Sequence, residues 1–180
     1  MKLLAFDTSS KALSVAILED ETLLAETTLT IKKNHSITLM PVIDFLMQQI
    51  DLTPKDLDRI VVAEGPGSYT GLRIAVATAK TLAHTLGIDL VGVSSLLALV
   101  PEDLAGLVVP VMDARRNNVY AGFYQDDQLV APEGHFPFEE VLEHAATSEQ
   151  VTFVGEVTAF KEQIASSLPS AACYETLPDA

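Results

Sequence analysis

LLAFDTSSKALSVAILEDETLL, residues 3–24, falls without a gap on VPVMDARRNNVYAGFYQDDQLV, residues 109–130, when Asp7 is set over Asp113. Each stretch reads as an apolar strand, an aspartate, a polar turn and a second strand of alternating residues. Each continues through an acidic turn, Asp20-Glu21 or Asp126-Asp127, into a second apolar start, Leu23-Leu24 or Leu129-Val130. A repeat on this scale decides the architecture, because each copy is one supersecondary unit. Identities are few, so two unrelated hairpins are the competing reading.

Outward from the first copy, strands over 3–6, 12–18 and 22–30 precede a helix capped at Asn34 or Ser36 and running to about Ile50. Pro41 fits only if it sits near that helix's first turn. A short strand over 60–63 leads through Gly65-Pro66-Gly67-Ser68 into a second helix that Gly87 ends. A strand over 90–93 and a short helix over 94–99 close the first copy. The second copy goes on with a helix over 138–146, a strand over 151–154, a helix over 158–167 and a thin tail. Two runs of β-β-β-α-β-α predict a duplicated three-layer α/β unit, split near Glu102–Gly106, with the second copy shorter.

Composition narrows the function. The 180 residues carry 11 Lys and Arg against 25 Asp and Glu, a formal net charge of −14. That balance argues against a stand-alone nucleic-acid binder and against a polybasic membrane-surface protein. The chain is 48% hydrophobic, with a mean hydropathy of +0.28, which supplies a core and argues against disorder. Apolar runs such as 96–100 and 107–112 are too short to span a bilayer. The opening residues lack the apolar length of a secretory signal, so a mature, cytoplasmic chain without membrane attachment is expected. One cysteine, Cys173, excludes an intrachain disulfide and a Cys-rich zinc site.

The glycine-rich turn, 65–73, joins a strand to a helix, where backbone N–H groups can hold an anion. It matches no P-loop: Gly65 to Gly71 is one residue too long, Gly67 to Gly71 one too short, and no Lys-Ser/Thr follows. Thr70 stands where a dinucleotide fingerprint needs its third glycine. A tight turn that lets the helix pack against its strand is the plainer reading. Asp7, Asp44 and Glu64 would hold Mg²⁺ for phosphodiester cleavage if the fold gathered them at one sheet end. Otherwise Asp44 and Glu64 are solvated and Asp7 caps the turn with Thr8 and Ser9. His35, His84, His135 and His144 lack metal-ligand spacing, and Ser68 is one position early for a nucleophile elbow. Arg115-Arg116 beside Asp113 would meet an anion or simply face water.

The two long helices are too apolar for one-sided burial. At 100° per residue Leu39, Ile43, Leu46 and Ile50 make one stripe, widened by Val42, Phe45, Met40 and Met47 to an arc of roughly 220°. In the second helix Leu72, Ala75, Val76, Ala79, Leu82, Ala83 and Leu86 form the core stripe. The opposite face carries Ile74, Ala77, Thr78, Thr81 and Thr85, with Arg73 and Lys80 on one flank. An uncharged back face in so acidic a chain is expected to meet a partner, or else another part of the same chain.

The stretches LLAFDTSSKALSVAIL, NHSITLMPVID, VAEGPGSYTGLRI and PVMDARRNNVYAGFY, in this order, resemble the bacterial TsaB (YeaZ) family, of the Gcp- and peptidase M22-like superfamily. The resemblance covers most of the first two-thirds; family chains usually continue further, so this one is expected to be cut short. It implies a duplicated RNase H-like, actin-like fold of the Hsp70–actin–sugar kinase type, with an N-terminal subdomain over 1–103 and a smaller one over 104–180. It implies a non-catalytic subunit that pairs with a TsaD-like catalytic sister and a TsaE-like ATPase to install threonylcarbamoyl on adenosine 37 of tRNA. The sister's His-x3-His metal motif falls on His35 and Leu39, so no metal is expected. Thr8, Ser9, Ala114 and Arg115 replace the glycine-containing phosphate loops of ATP-binding relatives, which leaves Asp7, Thr8, Ser9, Asp113 and Arg115 as a vestigial phosphate cleft and no cofactor.

Family members join partners through the helices corresponding to 36–50 and 70–86. The partner-binding residues expected are therefore Met40, Ile43, Met47, Arg73, Ile74, Ala77, Thr78 and Thr81. The same patch would make a homodimer when the sister is missing, and tRNA would be met only through the complex. Two rival readings stay open: a metal-dependent nuclease using Asp7, Asp44 and Glu64, and an ATP-binding enzyme of the actin-like fold. Some relatives carry a glycoprotease label, but no triad, elbow or zinc motif is present.

Overall fold

The computed structural model describes residues 1–30, 34–101, 104–126 and 128–177. Glu102 and Asp127, expected at the boundary and in the second acidic turn, lie outside them. The chain divides into two compact units, Met1–Ser95 and Leu96–Leu177.

The first unit runs β1 (Lys2–Asp7), β2 (Ala12–Glu19), β3 (Thr22–Thr30), α1 (His35–Gln49), β4 (Arg59–Gly65), α2 (Tyr69–Leu86) and β5 (Asp89–Ser94). Its sheet has the order β3-β2-β1-β4-β5, with β1–β2 and β2–β3 antiparallel and β1–β4 and β4–β5 parallel. The second unit runs β6 (Leu107–Asp113), β7 (Asn118–Gln125), β8 (Gln128–Pro137), α3 (Phe138–Ala145), β9 (Val151–Gly155), α4 (Lys161–Ser167) and β10 (Ala172–Glu175). Its sheet order, β10-β9-β6-β7-β8, is the first order again, with the same two antiparallel and two parallel pairings. The duplication read from the two hairpins is therefore one of whole units, and the second has the shorter helices.

The register corrects the gapless alignment by one residue. Asp7 pairs with Ser14, whereas Asp113 pairs with Val119, so the second turn is a residue tighter. Side chains alternate along a strand, so Phe6 corresponds to Val111, not to Met112. Phe6 and its partner Val15 face one core, and Val111 with Ala121 faces the other.

In the first unit α1 and α2 pack on the same face of the sheet. Leu39, Ile43, Leu46 and Met47 of α1 and Ala75, Ala79 and Ala83 of α2 close over Leu4, Phe6, Leu13, Val15, Ile17, Ile60 and Val62. The second sheet is covered on both faces. Phe138, Val141, Phe160 and Ile164 lie on one side, and Leu96 and Leu99, in a short turn of helix, lie against Val108, Met112, Tyr124 and Val154 on the other.

Three local expectations change. Pro41 sits inside α1, beyond its first turn. The carbonyl it leaves without a donor belongs to Ile37, which is 69% exposed, so the missing bond lies on the hydrated face. Neither Asn34 nor Ser36 caps α1 with its side chain; Asn34 enters it with φ 82, and its carbonyl takes the Thr38 hydroxyl at 2.9 Å. The tail contains a strand, β10, parallel to β9. Gly87 ends α2 as read, at φ 69, with its N–H on the Ala83 carbonyl.

Candidate functional site

Two places in the first unit hold the residues singled out by sequence. The first is the end of β1. Asp7 is 4% exposed and accepts the Ser9 N–H at 2.5 Å and the Ser9 hydroxyl at 2.9 Å. Burial pushes its carboxyl above the usual range, opposed by those Ser9 bonds and by the charge of His35. The Thr8 hydroxyl donates to the Gly71 carbonyl at 2.8 Å, and the Ser68 N–H donates to the Ser9 carbonyl at 2.6 Å.

The glycine-rich turn thus docks backbone to backbone on the β1–β2 turn. A Cβ on Gly71 would overlap the Thr8 carbonyl oxygen, and one on Gly67 would come within 2.8 Å of Ser9 Cβ. Ser68 caps α2, accepting the Gly71 N–H at 3.4 Å. Close helix–strand packing accounts for these glycines without an anion.

The proposed nuclease carboxylates are not gathered. Asp7 is committed to Ser9, Asp44 is exposed on α1 and bonded to Gln48 at 2.6 Å, and Glu64 is exposed at the end of β4. Among the described residues no three His, Cys, Asp or Glu side chains stand close enough to hold a metal. Leu39, where the metal motif would need its second ligand, is 1% exposed in the core.

In the second unit Asp113 repeats the Asp7 turn, accepting the Arg115 N–H at 2.7 Å, but it is exposed. Arg115, Arg116 and Asn117 follow with φ of 68, 53 and 59. This left-handed turn is braced from several sides. The Asn118 amide donates to the Arg116 carbonyl at 3.0 Å, the Phe138 N–H to the Asn117 carbonyl at 3.0 Å, and the Gln163 amide to Asn117 Oδ1 at 2.9 Å.

The second place is the outer surface of α1 and α2. Ile43 and Met47, expected there, are each 3% exposed and belong to the core, because they share the turn-spaced stripe of Leu39 and Leu46. Met40 remains outside at 44%. Sequence reasoning missed Ile37, 69% exposed, and counted Phe45, 58% exposed, as an edge of the core stripe. The helical wheel carries the signal for Ile37, which at 100° per residue falls within about 20° of Asp44 and Gln48, whereas Phe45 stands about 100° from Asp44, at the edge of the apolar arc.

On α2, Arg73, Ala77 and Thr81 are exposed, Thr78 is half-buried, and Ile74 packs partly against the core. Leu72 and Val76, assigned to the core stripe, instead line a shallow groove of about 370 Å³ with Tyr69, Arg73, Ala77 and Lys80. The Arg73 guanidinium donates to the Tyr69 hydroxyl at 3.0 Å along the groove wall. The exposed face of α2 is thus small at its centre, with two cations on one flank. No helix of the described residues is long and apolar enough to cross a membrane.

The family model for TsaD, tRNA N6-adenosine threonylcarbamoyltransferase, matches residues 22–178. The tRNA threonylcarbamoyladenosine biosynthesis protein TsaB of Bacillus subtilis is 42% identical over 91% of the chain and 75% of its own length. TsaB of Escherichia coli is 31% identical over 71% of the chain, which spans 57% of that protein. The structure of YeaZ from Pseudomonas aeruginosa superposes with a TM-score of 0.79 at 28% identity, covering 100% of this chain and 88% of that one.

Proposed function

This chain belongs to the TsaB (YeaZ) family, and we propose from that premise that it is a non-catalytic scaffold and activating subunit in the formation of threonylcarbamoyladenosine on tRNA. It pairs with a TsaD-like catalytic subunit, works with a TsaE-like ATPase in the cytoplasm, and meets tRNA only through that complex. Without the sister subunit the same surface joins two copies, since an isologous contact reuses one patch. The first unit, Met1–Ser95, serves as the partner-binding subdomain and the second, Leu96–Leu177, as the smaller one, a boundary slightly earlier than the 103/104 expected from sequence.

The observation that carries this reading is the outer face of α1 and α2. Ile37, Met40 and Phe45 are exposed within three turns of α1, beside a sister helix whose outer centre is Ala77. Large apolar side chains gain ~1.5–3 kcal/mol each on full burial, and small residues let a facing helix come close.

The test mixes the purified chain with the TsaD-like protein of the same organism and follows mass by light-scattering chromatography. A stoichiometric complex is expected, and Ala77→Arg is expected to abolish it while circular dichroism stays that of the folded chain. Normal binding by Ala77→Arg would remove the interface assignment. No complex, with ATP and the TsaE-like protein supplied, would remove the scaffold reading.

A further inference from the structure

The second unit carries a cavity that the subunit reading does not use. It has a volume of about 280 Å³ and lies between β8 and α3. Phe123, Ala131, Phe136 and Val141 form its walls, and Glu140 and His144 stand on its α3 side. The Phe123 and Phe136 rings meet edge to face at 6.2 Å, and the His144 ring lies 4.1 Å from Phe123.

The strand beneath it is built irregularly. Ala121 pairs with Gly134, Phe123 with Ala131 and Tyr124 with Leu129, so β8 spends an extra residue twice across this stretch. Bulges re-aim side chains and interrupt pairing, and they concentrate beside sites. Pro132, which lines the cavity, sits within the first of these irregularities, between Ala131 and Gly134, where a strand can accept a residue without an N–H.

The charge around the cavity has one sign. Glu140 lines it, Glu139 and Glu143 are exposed on the same helix, and neither Lys nor Arg lines it. Among the described residues the Glu140 carboxylate has no hydrogen bond or ion pair. An apolar cleft with a free carboxylate at its edge excludes a nucleic-acid phosphate and an acidic peptide. It fits a side chain with a hydrophobic stem and a cationic tip.

We propose that this cavity is a docking site for an arginine side chain presented by a basic segment of a partner protein. The stem covers Ala131 and Pro132, and the planar guanidinium stacks against the half-buried Phe136 ring and donates to Glu140. Arginine is preferred to lysine because a flat, weakly hydrated cation can stack on a ring and bond a carboxylate together.

The experiment uses the full chain with ¹³C-labelled aromatic rings. It is titrated with N-acetyl-arginine N-methylamide and, in parallel, with the uncharged norleucine analogue. The arginine probe is expected to give saturable shifts of the Phe123, Phe136 and His144 ring signals, with half-saturation of millimolar order for one side chain. Glu140→Gln, at an exposed helix position, should weaken binding about threefold or more, and the norleucine analogue should bind more weakly by a similar factor. Ala131→Trp, which fills the cavity, should abolish the shifts with the thermal midpoint checked alongside. Equal binding of the two probes, unchanged affinity in Glu140→Gln, or shifts that stay linear with concentration would each overturn the proposal.

Discussion

Asp7 places a carboxyl where there is little water, held by its two Ser9 hydrogen bonds and by the charge of His35. Its folded pKa is raised, chiefly by burial, while the unfolded value is about 3.9. Between those two values the folded chain holds the proton that the unfolded chain has lost, so stability falls as pH rises through that window. Asp7→Asn keeps an acceptor for the Ser9 N–H and cannot ionise. It is expected to melt a few degrees above the parent at pH 7 and to approach it below about pH 3, where the Asp7 carboxyl is protonated in both the folded and unfolded chain. Thermal melts across that range check the sign, and parallel profiles would show that burial of the charge costs nothing. Gly71 tests packing at the same joint. Its hydrogen is all that fits against the Thr8 carbonyl, so Gly71→Ala should lose about 3 kcal/mol in urea unfolding. Gly87, with open space around its missing Cβ, should tolerate asparagine with little loss, because asparagine adopts the left-handed conformation readily.

At the scale of elements, the apolar-aspartate-polar-alternating pattern made both hairpins legible, since inward residues recur with period two in each strand. Its register was not legible, because the difference lies in one turn residue. Asp7 and Asp113 look equivalent by chemistry and both hold an N–H two residues on, yet the strands leading to them face their cores a residue out of step. The tighter second turn is made by Arg115, Arg116 and Asn117, all left-handed. Nothing in two arginines announces that conformation; tertiary hydrogen bonds from Phe138 and Gln163 impose it. Each such residue costs ~1–2 kcal/mol against glycine-like freedom. Arg116→Asn should therefore stabilise the chain by about 0.5–1 kcal/mol in urea unfolding, and a loss of stability would mean that the arginine side chain is itself a structural tie. On α1 and α2 the breadth of the apolar arc was readable, but its division between core and outside was not. Wheel angles alone do not say which edge of a wide arc a sheet will cover, and Ile43 and Met47 went inward while Phe45 stayed out.

For the molecule as a whole, the repeated strand order follows from sequence because both copies obey the same connection rules, a hairpin and then parallel crossovers. β10 escaped because four residues on an edge, two of them exposed, carry little periodic signal. Net charge acts at this scale too. Each chain holds a formal −14, and the α2 groove sets Arg73 and Lys80 beside Ala77. In a two-fold pair both the acidic bodies and the two grooves bring like charges together, so apolar burial of Ile37, Met40 and Phe45 must outweigh repulsion. Salt shortens the range of that repulsion, from ~10 Å at 0.1 M to ~3 Å at 1 M. Self-association should therefore strengthen as NaCl rises from about 0.05 to 0.5 M, and Phe45→Ser should weaken it at every concentration. A basic partner should show the reverse trend, binding less tightly as salt rises. Sedimentation velocity across that salt series separates the cases. A homodimer that weakens with salt would mean that complementary charges hold it, and that the apolar outer faces of α1 and α2 are not its centre.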